Sequence, residues 1–209
     1  MPTVTNLTKK EVENIQIDEG LVYVDYGEET ERKIAPTRGG GEFVASVTIR
    51  NIEFDGRTAA TAGAQVLEEQ DAVIKLVSLC MSQEELALAM PFARIETEGE
   101  GADAPKVIKN PKCGIIPETA YCKNITVFAK LISGKYKKIT IYTPMSENGL
   151  GVKAAPKAEG ELSLEIKAHQ TLDDLNGDLW EVKDVTQIAS KAAAAAASTD
   201  AGEPAANET

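Results

Sequence analysis

Histidine, cysteine and aromatic residues are scarce in this chain, and their scarcity limits the chemistry that it can perform. The three cysteines, Cys80, Cys113 and Cys122, are too few and too scattered for a disulfide framework, so we expect free thiols. Cys80 lies in an apolar run and is predicted to be a buried core thiol. The single histidine, His169, follows directly on an alternating strand, where we expect its neighbours to satisfy it. Because a zinc site needs several ligands at close spacing, we predict neither a metal nor a cofactor.

Long hydrophobic runs and an excess of basic residues are also missing. Residues 1–6 have no apolar core that would serve as a signal peptide, and no later run is long enough to span a membrane. We therefore expect a chain that is made and folded in the cytoplasm and has no membrane partner. The net charge of −11 is opposite to the basic footprint of proteins that grip nucleic acid. It is compatible with a surface along which DNA slides, because like charges do not stick.

No catalytic motif is recognisable in the sequence. The three glycines at 39–41 have neither the GK[ST] ending of a P-loop nor the GxGxxG opening of a dinucleotide site. The segment Asp173–Asp178 lacks the spacing and terminal glutamate of an EF-hand, and we interpret it as a turn stabilised by Asp and Asn side chains. No Ser-His-Asp triad can be chosen without being arbitrary. An enzyme is therefore the least favoured class of function, and we assign no catalytic residue.

Period-two alternation predicts a mainly β, antiparallel sandwich or barrel-like domain. Residues 161–168 alternate most regularly, with leucine, isoleucine and alanine facing in and charged residues facing water. Residues 43–54 also alternate, but the phase slips near Asn51, which predicts a β-bulge there. The run 72–80 is apolar at successive positions and predicts a central strand that is covered on both faces. Further strands are predicted at 21–26, 125–132, 136–142 and 179–182, with a hairpin turn at Ser133-Gly134.

One short α-helix is predicted between Ser82 and Pro91. Ser82, with Glu85 three residues later, is a capping-box pattern, and the following residues favour helix until Pro91 limits its continuation. A helix of roughly two to three turns is too short to be stable alone. We therefore expect it to pack on the flank of a sheet through Leu86 and Met90.

Composition divides the chain into an extended N-terminal arm at 1–14, a β domain at 15–187 and a low-complexity tail at 188–209. The arm is polar, and the tail contains six successive alanines without an amphipathic face, so we predict a disordered tail. Within the β domain, 27–42 is a charged loop that ends in three glycines, and 96–105 is a polar loop. We expect the arm and the glycine-rich loop to be mobile in a free chain and to become ordered on assembly.

Charge is segregated along the sequence. All charged residues between 11 and 31 are acidic. Residues 106–138 carry lysines with Glu118 as the single acid, and residues 159–184 are predominantly acidic again. Opposite blocks on one chain suit head-to-tail association between copies, although lysines that only solubilise a hairpin remain an alternative. The candidate assembly surfaces are therefore the glycine-rich loop and the basic hairpin, with the residues Arg38, Gly39, Gly40, Gly41, Lys135, Lys137 and Lys138.

The order of several pieces along the chain carries a family resemblance. These pieces are Tyr26-Gly27 at the end of a strand, Thr37–Gly40, Arg50–Gly56, the small residues to Gly63, the apolar strand to Cys80, Glu84–Pro91, Glu159–Leu162 and Asp178–Val182. Over most of residues 15–185 they resemble the tail tube (major tail) proteins of long-tailed bacteriophages, with Arg50–Gly56 the most specific piece. The alanine-rich tail is outside this pattern.

The resemblance implies a β-sandwich or barrel-like domain with one helix on its flank. It also implies hexameric rings that stack into a hollow tube around a tape-measure protein, with tail terminator or tip proteins at the ends. DNA would pass through this tube without sticking to its wall. On this hypothesis the chain is a structural protein of the virion tail, assembled in the cytoplasm of a host bacterium. The alternative is a β-sandwich binding module that does not polymerise, such as a virion decoration or attachment domain.

Overall fold

Two antiparallel β-sheets face each other across an apolar core in the computed structural model of the chain, which describes residues 8–17, 20–34, 36–99, 106–154 and 159–189. The predicted mainly β, antiparallel fold is therefore confirmed. Residues 1–7 of the predicted arm, 100–105 of the predicted polar loop and 190–209 of the predicted tail lie outside the described residues.

The described part of the chain contains short helices and twelve strands. The helices are α1 (Lys9–Glu13), α2 (Gln83–Ala89) and a 3-10 turn at Glu118–Ala120. The strands are β1 (Leu21–Val24), β2 (Arg32–Lys33), β3 (Thr37–Asn51), β4 (Gln65–Ser78), β5 (Arg94–Thr97), β6 (Lys106–Lys109), β7 (Asn124–Lys130), β8 (Tyr136–Tyr142), β9 (Met145–Ser146), β10 (Gly151–Lys153), β11 (Glu161–Lys167) and β12 (Trp180–Val185).

These strands form two large sheets and one small one. The first sheet has the order β12-β8-β7-β1-β2, and the second has the order β10-β11-β4-β3 with β9 beside β11. Strands β5 and β6 pair separately, so that Glu96 and Thr97, which we predicted to lie in a loop, belong to a strand. The turn predicted at Ser133-Gly134 joins β7 to β8, and Gly134 has the positive φ, 79°, that favours glycine there.

The core lies between the two large sheets. Strand β11 shows the predicted alternation, because its leucine and isoleucine side chains are buried and the residues between them reach water. The buried side chains from the first sheet are Val22, Val24, Ile125, Val127 and Ile141, and those from the second are Ala72, Ile74, Leu76, Leu162, Leu164 and Ile166. The two inner faces therefore form one sandwich core.

Burial on both faces occurs in the first sheet and not in β4. All residues of β7 from Ile125 to Ala129 are buried. In β4, by contrast, Ile74 is buried while Lys75 is exposed and forms a salt bridge with Glu165, 3.3 Å from Nζ to Oε1. The expected central position of β4 is correct, but the expected covering of both its faces is wrong. Cys80 lies beyond the end of β4 and is half-buried, so the prediction of a core thiol is also wrong.

Helix α2 begins where the sequence predicts it, with Ser82 as the N-cap. The Ser82 hydroxyl accepts a hydrogen bond from the Glu85 amide at 3.3 Å. The Glu85 carboxylate turns inward, where the buried Ser78 hydroxyl donates to it at 2.7 Å. Leu86 packs against the core as expected, Met90 is half-buried, and the most deeply buried apolar residues of the helix are Leu88 and Ala89, which we did not predict. The contact between Ser78 and Glu85 and a small apolar face thus hold the helix against the end of β4.

We predicted an extended arm at 1–14, but its described part contains a short helix. Thr8 and Glu11 form a reciprocal capping box that starts the five-residue helix α1. After this helix the chain pairs with the end of β7, because the Ile17 amide donates to the Lys130 carbonyl and the Ile132 amide donates to the Ile15 carbonyl. None of the residues of α1 is buried, which explains why no apolar period announced the helix.

We predict that the buried carboxylate of Glu85 stabilises the fold while its exposed neighbour Glu84 does not. Replacing Glu85 by alanine leaves the Ser78 hydroxyl without this acceptor and should lower the free energy of unfolding by about 1–3 kcal/mol. The matched change Glu84→Ala removes a carboxylate from the same helical turn and should cost within about 0.5 kcal/mol. Urea unfolding of unassembled chains at neutral pH measures both, and equal losses would contradict the prediction.

Candidate assembly surfaces

The hairpin formed by β3 and β4 continues beyond the sandwich. Strand β11 pairs with β4 only from Val73 to Ser78, whereas β3 pairs with β4 as far as Gln65. We call residues 44–71, the part of the hairpin beyond the sandwich, the finger. Its paired strands extend roughly 25 Å, and almost all of its residues are exposed. Because a two-stranded ribbon is marginally stable in water by itself, the finger is a surface that gains stability from a partner.

One face of the finger is apolar. The alternation that directs Phe43 toward the core continues along β3 to Val47 and Ile49, and Leu67 pairs with Ile49 across the hairpin. These three side chains are 56%, 52% and 49% exposed. The Phe43 ring meets Trp180 of the first sheet edge to face, with 5.7 Å between the centroids. The inner face of the second sheet therefore continues beyond this aromatic contact as an apolar face that is exposed to solvent.

A β-bulge interrupts the finger at a place that we did not predict. Thr48 pairs with Glu69 and Ile49 pairs with Leu67, so Glu68 is an additional residue on β4. We had expected a bulge in the other strand, near Asn51, that would restore the phase for the following residues. That expectation is wrong, because β3 ends at Asn51 and Ile52 belongs to the tip loop.

The tip loop at 52–64 is held together by one arginine. The Arg57 guanidinium donates from Nη1 to the Ile52 carbonyl and from Nε to the Ala59 carbonyl, both at 2.9 Å. Gly56 has a φ of 87°, which allows the tight turn after Asp55. Ile52 and its neighbour Phe54 remain exposed, so the apolar character of the finger extends to its tip.

The predicted glycine-rich loop is part of strand β3. Residues 38–40 lie opposite Val77 alone, because Thr37 pairs with Ser78 and Gly41 already pairs with Leu76, so β3 has two extra residues there. Gly39 and Gly40 have φ angles of 73° and 74°, so this irregularity depends on their lack of a side chain. The prediction of a loop from 27 to 42 is therefore wrong in two places. Arg32 and Lys33 form β2 beside β1, and from Thr37 onward β4 supplies a pairing partner that local composition cannot reveal.

Arg38 is paired within its own chain. Its guanidinium forms salt bridges with Glu159 and with Glu161, the latter 2.8 Å from Nη1 to Oε1. The ammonium of Lys153 and, to a smaller degree, Arg38 lower the pKa of the Glu161 carboxyl. Arg38 thus ties the beginning of β3 to β11, next to the two glycines with positive φ. Its participation in assembly remains a prediction.

The three lysines of the predicted basic hairpin lie at the turn and along β8. Lys135 is exposed in the turn between β7 and β8. Lys137 forms a salt bridge with Asp184 of β12, and the Lys138 ammonium lies 4.9 Å above the centroid of the Tyr26 ring. Two of the three lysines therefore already have partners in the same chain, and an intermolecular role for them remains a prediction.

A second exposed surface lies in residues 106–117, which we call the basic loop. It consists of β6 and the segment before the 3-10 turn, and it contains Lys106, Lys109 and Lys112 without any acidic residue. Lys109 forms a salt bridge with Glu96 of β5. Ile115 of this loop is 100% exposed. Ile115 and its exposed neighbour Ile116 form a small apolar surface beside lysines, which makes the basic loop a candidate surface for binding another molecule.

The single histidine and the cysteines are the remaining residues that could take part in chemistry, and their environments are as follows. His169 Nε2 lies 2.9 Å from Glu147 Oε1, as expected for a strand-end residue with a polar neighbour, while its Nδ1 is buried without a hydrogen bond among the described residues. Burial raises the pKa of the half-buried Cys122 thiol to about 11, whereas Cys113 is exposed in the basic loop. Among described residues, no three His, Cys, Asp or Glu side chains are grouped to hold a metal ion.

Comparisons with known proteins give no match, either to a family model or to a curated protein. Among the described residues, no helix has both the length and the apolar composition to cross a bilayer. The assignment of function therefore depends on the exposed surfaces of this chain.

Sequence reasoning missed both the overhang of the finger and the exposed isoleucine of the basic loop. Composition gave a signal for the first, because the alternating run at 43–54 is long for a strand of one small sandwich. For the second, the apolar pair Ile115-Ile116 between glycine and proline has no period that would place it in a core. Neither signal shows by itself that the side chains are exposed.

We predict that the irregular start of β3 depends on Gly40 but not on Gly41. A side chain at Gly40 is strained by the positive φ, so Gly40→Ala should lower the free energy of unfolding by about 1–2 kcal/mol. Gly41 lacks a positive φ and its new Cβ would meet only the Lys75 carbonyl at an ordinary 3.8 Å, so Gly41→Ala should be neutral or slightly stabilising. Thermal unfolding of the two variants gives the comparison, and a Gly41→Ala loss as large as that of Gly40→Ala would contradict it.

Proposed function

We propose that the chain is a structural subunit that polymerises with copies of itself into stacked rings, and that these rings form the hollow tail tube of a long-tailed bacteriophage. The resemblance of residues 15–185 to tail tube proteins suggests the class. Supporting observations are the mainly antiparallel β fold and a protruding hairpin that the sandwich itself leaves uncovered.

The single observation that carries the proposal is the apolar face of the finger. Val47, Ile49 and Leu67 follow the same face of the sheet as the core residues, yet they lie beyond the last residue that β11 covers. Leaving such a face in water is unfavourable by about 25 cal/mol for each Å² of apolar surface. A second molecule that covers the finger recovers this free energy, and another copy of the same chain is the partner that we propose.

The geometry of the finger favours an open assembly over a closed dimer. A contact in which the finger meets a different surface of the next copy is heterologous, and repetition of such a contact gives rings or filaments. A net charge of −11 supports a tube for DNA, because an acidic wall does not retain the phosphate backbone. Partners such as a tape-measure protein, a terminator and tip proteins follow from the resemblance and are part of the proposal.

We predict that removing apolar side chains from the finger weakens assembly without unfolding the subunit. The double change Ile49→Ser and Leu67→Ser should raise the protein concentration needed for assembly at least about tenfold, because both side chains lose buried contact area. Its melting temperature should stay close to that of the wild type, since neither residue belongs to the core. Electron microscopy and sedimentation over a range of concentrations measure assembly.

The control is Leu172→Ser, which removes a leucine that lies outside the finger and is still more exposed than Ile49 and Leu67. It should assemble like the wild-type chain. A wild-type chain that remains a uniform small particle at every concentration would contradict the proposal and favour a non-polymerising binding module. Equal loss of assembly in the control and in the finger variant would show non-specific apolar aggregation instead of a defined contact.

A further inference from the structure

We propose that the finger of one copy docks on the basic loop of the next copy. The inference rests on the proposed function, because it names the surface that receives the finger in a self-assembling chain. Each of the two surfaces combines exposed apolar side chains with charge, and the two net charges have opposite signs.

The finger is acidic. Residues 44–71 contain five acidic and two basic side chains, a net charge of −3. Both arginines are engaged within the finger, since Arg50 forms a salt bridge with Glu68 and Arg57 binds the tip carbonyls. Glu53 and Asp55 lie in the tip loop beside the exposed Ile52 and Phe54, and neither forms a salt bridge with a described residue. Carboxylates of this kind are available to a cation on another molecule.

The basic loop is the complement in charge. Residues 106–117 carry a net charge of +3. Lys109 is neutralised by Glu96, but Lys106 and Lys112 form no salt bridge with any described residue. Attraction between charges on two surfaces falls off over about 10 Å at 0.1 M salt, so it guides the approach of the two surfaces and sets their orientation.

The apolar parts of the two surfaces also match. The basic loop presents Ile115, whose side chain is fully exposed, and its neighbour Ile116 is exposed as well. The finger presents a row of β-branched and leucine side chains on one face. When an isoleucine packs against such a row, apolar surface of both partners is removed from water. This burial supplies affinity that the lysines alone do not give.

The finger and the basic loop belong to opposite ends of the same subunit, so the contact joins two copies. Strand β4 spans roughly 45 Å from its tip at Gln65 to its base at Ser78. The basic loop is attached near that base, because the Gln83 side chain of α2 donates to the Lys106 carbonyl. The tip of the finger in one copy is therefore free to meet the basic loop of another.

The turn between β7 and β8 is the main competitor as a receiving surface. It combines Lys135 with the exposed Ile132. Lys137 of the same hairpin is neutralised by Asp184, and the Lys138 ammonium lies over the Tyr26 ring. The basic loop has more uncompensated positive charge and the more exposed isoleucine, and we therefore favour it.

Disulfide trapping tests the contact, because Cys113 already lies exposed in the basic loop. One cysteine is added to the finger at a neutral exposed position, Thr48→Cys, Thr58→Cys or Gln70→Cys, so that all carboxylates remain. A disulfide forms only when the two Cα atoms come within about 4.4–6.8 Å. After assembly and mild oxidation, at least one variant should give a ladder of covalently linked chains on a non-reducing gel.

Two controls identify the receiving cysteine. Adding Cys113→Ser to each variant should remove the ladder, which excludes the half-buried Cys80 and Cys122 as the partners. Adding Ser133→Cys in the Cys113→Ser background places the receiving thiol on the β7–β8 turn, and a ladder there would overturn the proposal. Tubes from all three finger variants without any ladder through Cys113 would also overturn it. If the wild-type chain forms no rings or tubes, the proposed function itself fails.

Charge exchange gives a second, independent measurement. The double change Lys106→Glu and Lys112→Glu should slow assembly about tenfold, and the further changes Glu53→Lys and Asp55→Lys in the tip loop should restore the rate. Lys33→Glu with Lys183→Glu changes the net charge equally on exposed strand residues and should have a smaller effect. A wild-type rate for the first variant, or a folded four-residue variant without recovery, would contradict the proposed contact.

Discussion

Strand β4 lies in two environments, and the rest of the structure depends on how its two halves are paired. From Val73 to Ser78 it lies between β11 and β3, and its inward side chains form part of the sandwich core. From Gln65 to Asp71 it has β3 alone. Because one continuous strand connects the halves, the buried half anchors the exposed half in an extended conformation before any partner is present. A hairpin that is ordered in advance loses less conformational entropy on binding than a flexible loop does.

Some charges from the blocks in the sequence pair with each other across strands in the fold. Lys137 with Asp184 and Lys167 with Asp71 join residues far apart along the chain but adjacent across strands. Exposed pairs of this kind contribute about 0–1 kcal/mol each, so they do not hold the sandwich together. Their effect is selective, because in the long basic block they neutralise Lys109 and Lys137 and leave Lys106 and Lys112 without a salt bridge among the described residues. Unpaired charges at those places can orient one molecule relative to another as the two approach.

Local signals made much of the fold predictable, whereas pairing between distant segments did not follow from them. The N-cap Ser82, the turn at Gly134 and the alternation of β11 each depend on a few neighbouring residues, and the structure has all three. The assignment of residues 38–40 to a loop failed because three glycines indicate irregularity and cannot show that β4 lies beside them. The overhang of the finger was also hidden, since it results from β11 ending at Lys167 while β4 continues.

The bulge at Glu68 has a consequence for the shape of any assembly that uses the finger. An additional residue on one strand of an antiparallel pair increases the local right-handed twist, so the outer part of the finger is rotated relative to its base. In a stack of identical units, the same small rotation is repeated at every step. The angle between successive layers, and hence the helical pitch, would then depend on one residue whose side chain contributes nothing to the apolar face.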